Sequence, residues 1–140
     1  MESKRLSILV IDGQGGGIGR QAVARIKELA PWVEVTAVGT NALATSAMLK
    51  AGADNGATGE NAVLVGCRKA DVIVGPIGVA IADSLFGEVT PAMAVAVGQS
   101  RAVRVLIPVN HCDNLIAGME DVSMARLVES AVDLALEQAK

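Results

Sequence analysis

Tyrosine is absent from this 140-residue chain, and Trp32 and Phe86 are its only aromatic residues. A surface that stacks bases has almost nothing to build on here. A net charge of -3 with a pI near 5.1 also leaves no basic footprint, so nucleic acid is not expected as a partner. Cysteine is nearly as scarce. Cys67 and Cys112 cannot build a disulfide framework, which points to a reducing cytoplasm. No apolar run approaches the roughly 18 residues of a membrane helix. Leu6–Ile11 is too short, and too soon followed by Asp12, to serve as a signal-peptide core. Charged residues reach only 19%, which with the high apolar content excludes a disordered chain.

What is present is aliphatic. Hydrophobic residues make up 51%, carried by Ala, Val, Ile and Leu, a composition suited to parallel strands buried on both faces. A chain of this length buries roughly two thirds of its unfolded surface, and apolar residues left over favour a homo-oligomer. No linker, repeat or low-complexity run interrupts residues 1–140, which read as one domain.

The run Leu6–Ile11 reads as a buried strand ending at Asp12 and a glycine cluster. Apolar residues at helical spacing predict a helix from Gly17 to Ala30, closed by Pro31. Val33–Val38 reads as a second strand, and Thr40-Asn41 as the cap of a helix through Lys50. Gly52–Asn61 reads as a loop, and Ala62–Val65 and Asp71–Val74 as short strands. The turn Gly75-Pro76-Ile77-Gly78 should lead into a small-residue helix ending near Gly87. Thr90-Pro91 marks a helix start running to about Gly98. Val103–Val109 reads as a strand, Ile116-Ala117 as a weak edge strand, and Ser123 as the cap of a final amphipathic helix. Strands alternating with helices predict a single three-layer, Rossmann-like α/β domain. Its mostly parallel sheet has about five strands, with helices on both faces. Ligands in such sheets bind beyond the carboxyl ends of the strands, where the strand order reverses.

The loop after the first strand is Asp12-Gly13-Gln14-Gly15-Gly16-Gly17-Ile18-Gly19. Its glycines at 13, 17 and 19 repeat the spacing of the cofactor loop of short-chain dehydrogenases. Glycines there let backbone approach a phosphate, and the helix that follows offers free N–H groups and the positive end of its dipole. Placement between a strand and a helix strengthens the signal; a tight turn without ligand is the plain alternative. No carboxylate stands about 20 residues on, where dinucleotide folds hold the ribose hydroxyls. Val38-Gly39-Thr40-Asn41 offers only Thr40 and Asn41, which do not choose between NAD and NADP. Asp12 either turns inward onto its own loop amides, the simpler expectation, or holds a cation such as Mg²⁺. The turn Gly75-Pro76-Ile77-Gly78 is expected to face the glycine loop and complete a crevice.

Other chemistry is thin. Glu60 lies in the polar stretch Gly56–Asn61. His111, the lone histidine, lies in Pro108–Asn114 at the end of a strand, and with Glu60 it is a weak acid–base candidate. No metal site is expected, because adjacent His111 and Cys112 point apart and no paired ligand motif is present. The catalytic Tyr of the dehydrogenases with this glycine spacing is missing, which excludes that chemistry in its usual form. Serine-hydrolase elbows and the Gly-Lys-Ser/Thr phosphate loop are missing too.

Four segments together resemble a specific family. They are Ile11–Gly19, Val38–Thr45, Gly56–Asn61 and Gly75–Gly78, and they are similar to the small bacterial domain-of-unknown-function family 3842 over nearly the whole chain. The resemblance implies a Rossmann-like fold and carries no assigned reaction. Asn110-His111-Cys112 resembles that family's Asn-x-Cys, often with a basic residue in the middle, which implies that His111 is not an obligatory catalyst.

The expected function is that of a nucleotide- or dinucleotide-binding protein of NAD(P) type, a sensor or accessory subunit rather than a dehydrogenase. Phosphates would sit on Gly13–Gly19. Thr40, Asn41 and Gly75–Gly78 would line the crevice. Two alternatives stand beside it: an enzyme acting on a phosphorylated or carboxylated metabolite, with Mg²⁺ through Asp12, and a structural oligomer subunit without ligand.

Overall fold

Alternation along the first strand sets the architecture. In β1 (Ser7–Asp12), Ile8 and Val10 join one buried cluster while Leu9 and Ile11 join the other, so apolar layers cover both faces. A computed structural model describes residues 5–109 and 114–139. Its remaining strands are β2 (Glu34–Gly39), β3 (Asn55–Thr58), β4 (Val72–Pro76) and β5 (Val103–Ile107), and all pair in parallel in the order β3-β2-β1-β4-β5. Helices α1 (Gly17–Leu29), α2 (Ala42–Lys50) and α5 (Met124–Glu137) pack on the Ile8–Val10 face. Helices α3 (Glu60–Lys69) and α4 (Pro91–Gln99) pack on the Leu9–Ile11 face. The three-layer α/β fold expected from the sequence is the one observed. Among the described residues no helix is long and apolar enough to cross a membrane.

Local chemistry accounts for most element ends. Asn41, Thr90 and Ser123 each accept a hydrogen bond from the backbone N–H three residues on, capping α2, α4 and α5. At the amino ends of the strands, Asp71 accepts from Ser7 N–H and Asp54 from Val35 N–H, each at 2.8–2.9 Å.

Four expectations need correction. Residues Asn55–Thr58, expected in a loop, form the edge strand β3 in register with Thr36–Gly39. All four of its residues are exposed, so no apolar pattern announces it; pairing with β2 creates it. Ala62–Val65, expected as a strand, lies inside α3. Buried Val63 and Cys67 stand one helical turn apart there, and Arg68 and Lys69 meet the helix's negative end. The helix expected after Gly78 is a single 3-10 turn over Ile77–Ala80. Beyond it Asp83, Leu85, Phe86 and Gly87 take left-handed φ values that no α-helix allows. Ile116-Ala117 forms no strand, and the described sheet ends at β5.

Burial then ranks the strands. Ile73 in β4 is fully buried between β1 and β5, whereas Val103 on edge strand β5 is 46% exposed. Denaturant unfolding should therefore show Ile73→Ala losing about 2–5 kcal/mol, and Val103→Thr changing stability by no more than about 0.5 kcal/mol.

Candidate functional site

With β1 at the centre, the strand order reverses between β1 and β4, and the loops that follow these two strands meet there. Asp12, the last residue of β1, is 4% exposed and turned inward. One carboxylate oxygen accepts from Gly13 N–H at 2.8 Å and the other from Gly19 N–H at 2.7 Å. Burial pushes the Asp12 carboxyl above its ordinary pKa. The amides of Gly19, Gly13 and Ile18 pull it back, and the nearby Glu88 carboxylate pushes it further up. The inward alternative is the one observed, and both oxygens face amide N–H groups.

Three glycines of the loop are required by close packing. A Cβ on Gly13 would lie 2.6 Å from Thr40 Oγ1, 2.7 Å from Glu88 Oε1 and 2.8 Å from Leu85 Cδ1. Gly16 has φ +74°, and a Cβ there would strike the backbone of Ala44 at 2.9 Å. One on Gly19 would lie 2.5 Å from Met48 Sδ. Gly15 and Gly17 differ: a Cβ on either meets nothing within 4 Å. The start of α1 also has no side-chain cap, and no described hydrogen bond uses the amide of Gly15 or Gly17.

Glu88 is the residue that sequence reasoning missed. Its Oε1 accepts from Gln14 N–H at 2.8 Å, Thr40 Oγ1–H at 2.5 Å and Asn41 Nδ2–H at 3.1 Å. Those donors belong to two loops, after β1 and after β2, and Glu88 comes from a third. Asn41 Nδ2 also donates to Gln14 C=O at 2.9 Å, which helps hold Gln14 at φ +51°. Burial alone would raise the Glu88 carboxyl, but the hydrogen bonds from Gln14, Thr40 and Asn41 together hold it below the ordinary glutamate value. The only hint in the sequence is that Asp83 and Glu88 are the sole acids in the apolar stretch from Val72 to Val109.

The remaining expected residues are placed as follows. Gly75 and Pro76 end β4, Ile77 and Gly78 open the 3-10 turn, and Leu85 stands between this turn and Gly13 of the glycine loop. A Cβ on Gly78 would lie 3.6 Å from Leu85 Cδ2. Thr40 and Asn41 lie beside the glycine loop. Glu60 is exposed at the start of α3, after the far edge strand β3. His111 and Cys112 lie outside the described residues. Among the described residues no group of three or more His, Cys, Asp or Glu side chains is placed to hold a metal ion. Thr45 explains the rest of the Val38–Thr45 motif: its hydroxyl accepts from Gly39 N–H at 3.2 Å and shares a 2.7 Å hydrogen bond with Thr58. A groove of about 520 Å³ runs between α1 and α2, with Arg20 and Leu43 at the glycine-loop end of the two helices.

Two outcomes follow for the carboxylates. Asp12→Asn retains one acceptor and sets an NH₂ group against an amide N–H, so unfolding stability should fall by about 1–3 kcal/mol. Glu88 titrates lower in the folded state than in the unfolded one. Its stabilisation is complete above the ordinary glutamate pKa and is lost as pH falls through the lowered one. The stability gap between wild type and Glu88→Gln should therefore shrink as pH drops across that window, and a gap constant with pH would contradict the assigned hydrogen bonds.

None of the curated proteins matches the chain. Among solved structures it is similar to a dodecameric FMN-dependent Ubix-like decarboxylase from Escherichia coli O157:H7, with a TM-score of 0.46 and 16% identity over 91% of this chain and 75% of that one. It is also similar to a nucleoside-diphosphate-sugar epimerase from Pseudomonas aeruginosa, with a TM-score of 0.48 and 16% identity over 97% of this chain. The chain spans about half of that epimerase, 49% of its length. Residues 7–140 match the family described as a domain of unknown function (DUF3842), and the chain belongs to that family.

Proposed function

We propose that this protein binds a nucleotide, with NAD or NADP as the leading candidates, and holds a phosphate on the Gly15 and Gly17 amides at the start of α1. The observation that carries the reading is the contrast within the loop. Gly13, Gly16 and Gly19 are required by neighbours, whereas Gly15 and Gly17 face open space. Glycine costs about 0.5–1 kcal/mol relative to alanine in a helix interior, and at Gly17, the first residue of α1, no neighbour in the fold requires it. Close approach of a ligand to backbone is what the missing side chains allow.

Neither nearby carboxylate uses the Gly15 or Gly17 amide, which leaves both donors for an anion despite the negative charge beside them. Asp12 already meets the amides of Gly13 and Gly19, and Glu88 those donors that join it to Gln14, Thr40 and Asn41. Arg20 is exposed in the first turns of α1 and is the nearest basic residue along the chain. Binding without chemistry, as a sensor or accessory subunit, fits a site in which both Asp12 oxygens and one Glu88 oxygen are already held by hydrogen bonds. The expected homo-oligomer belongs to the same proposal. Trp32, Leu43 and Phe86 are 64, 69 and 90% exposed, and a monomer by light scattering would remove that part.

A thermal-shift panel of NAD, NADP, ADP and GDP tests the site. Ligand at 100 times its dissociation constant adds about 2.7 kcal/mol to the wild type. Gly17→Asp should melt cooperatively yet show no shift. Gly17→Ala should gain up to about 1 kcal/mol in the absence of ligand while binding more weakly. Undiminished shifts in Gly17→Asp would remove the phosphate from this loop.

A further inference from the structure

The sequence has no acid at the end of β2, the place from which a dinucleotide fold normally reaches the ribose, yet the structure puts a carboxylate beside that strand end. Glu88 arrives from the segment after β4, 74 residues beyond Gln14, and its Oε1 lies 2.5 Å from Thr40 Oγ1, directly after β2. Oε1 is saturated by Gln14 N–H, Thr40 and Asn41, while no described hydrogen bond uses Oε2.

The segment carrying Glu88 is built to hold it still. Asp83 N–H donates to Val89 C=O at 2.7 Å and Val89 N–H to Ser84 C=O at 3.2 Å, closing the neck of the loop. The Ser84 hydroxyl hydrogen-bonds Gly78 C=O, and also Ile81 C=O at 2.8 Å. Leu85 and Val89 are buried beneath it, Leu85 against Gly13. Non-glycine residues Asp83, Leu85 and Phe86 take left-handed φ values of 66°, 55° and 56° within the same turn, a conformation that side chains resist and that persists only where the surroundings enforce it. A carboxylate held through one oxygen, with no described hydrogen bond to the other, retains acceptor capacity for a hydroxyl group and repels an anion brought against it.

We propose that Glu88 is the ribose acceptor of this crevice. Its free oxygen takes the 2′-hydroxyl of the bound nucleotide, so the ligand class is nucleotides with an unmodified ribose, NAD rather than NADP, and a 2′-phosphate is rejected by charge. The inference rests on the nucleotide reading above and adds which ribose that site accepts.

Isothermal titration calorimetry with four probes tests it: NAD, NADP, ADP and 2′-deoxy-ADP. Wild type should bind NAD at least about tenfold more tightly than NADP, and ADP at least about tenfold more tightly than 2′-deoxy-ADP, as expected for losing a hydrogen bond to a charged acceptor. Glu88→Gln should shrink the NAD/NADP ratio most, because it removes the charge and keeps the shape. Equal wild-type affinity for NAD and NADP, or for ADP and its 2′-deoxy form, overturns the proposal while leaving nucleotide binding intact. Tighter binding of all four probes to Glu88→Gln also overturns it, since Glu88 would then be a plug that every nucleotide displaces. Wild type that binds none of the four overturns the nucleotide reading itself. If Glu88→Gln does not fold, the two wild-type ratios still decide.

Discussion

Asp12 ends the central strand with its carboxylate turned under the glycine loop, one oxygen on Gly13 N–H and the other on Gly19 N–H. That pair of hydrogen bonds ties β1 to the first turn of α1 and fixes the path of every residue between them. Hydrogen bonds to a buried charged acceptor are worth more than neutral ones, and removing one strands an amide in the core. The same commitment shapes the chemistry, because a carboxylate satisfied from within its own loop faces away from any ligand above it. The amides of Gly15 and Gly17 are left for the solvent side.

The loops at this end of the sheet are joined in the same way, by shared acceptors. Glu88 Oε1 joins the loops after β1 and β2 to the segment after β4, and Thr45 joins the end of β2 to β3 and α2. Leu85 closes the gap over Gly13, where a side chain would collide with three neighbours. A groove of about 520 Å³ lies to one side, between α1 and α2.

Much of this was legible in the residues. The glycine cluster after a buried aliphatic run and the caps Asn41, Thr90 and Ser123 follow from local chemistry, and the structure shows each of them. What escaped was set by tertiary partners. Asn55–Thr58 is a strand only because β2 offers a free edge, and its exposed, glycine-containing sequence carries no periodic signal. Ala62–Val65 has strand-forming residues, and the decisive Val63–Cys67 spacing is visible only once Cys67 is counted as core. Glu88 could not be found by spacing at all. Its role depends on three donors that are distant in sequence and converge only in the folded chain.

We propose that Gly15 and Gly17 are open because a phosphate approaches them. An amide-resolved NMR titration of the wild-type protein with NAD tests it most directly. The amide resonances of Gly15 and Gly17 should move first and farthest, followed by those of Gln14 and Thr40, at a shared saturation point. Large shifts confined to another part of the molecule, or none at saturating nucleotide, would contradict it and leave the glycine loop as a turn between β1 and α1.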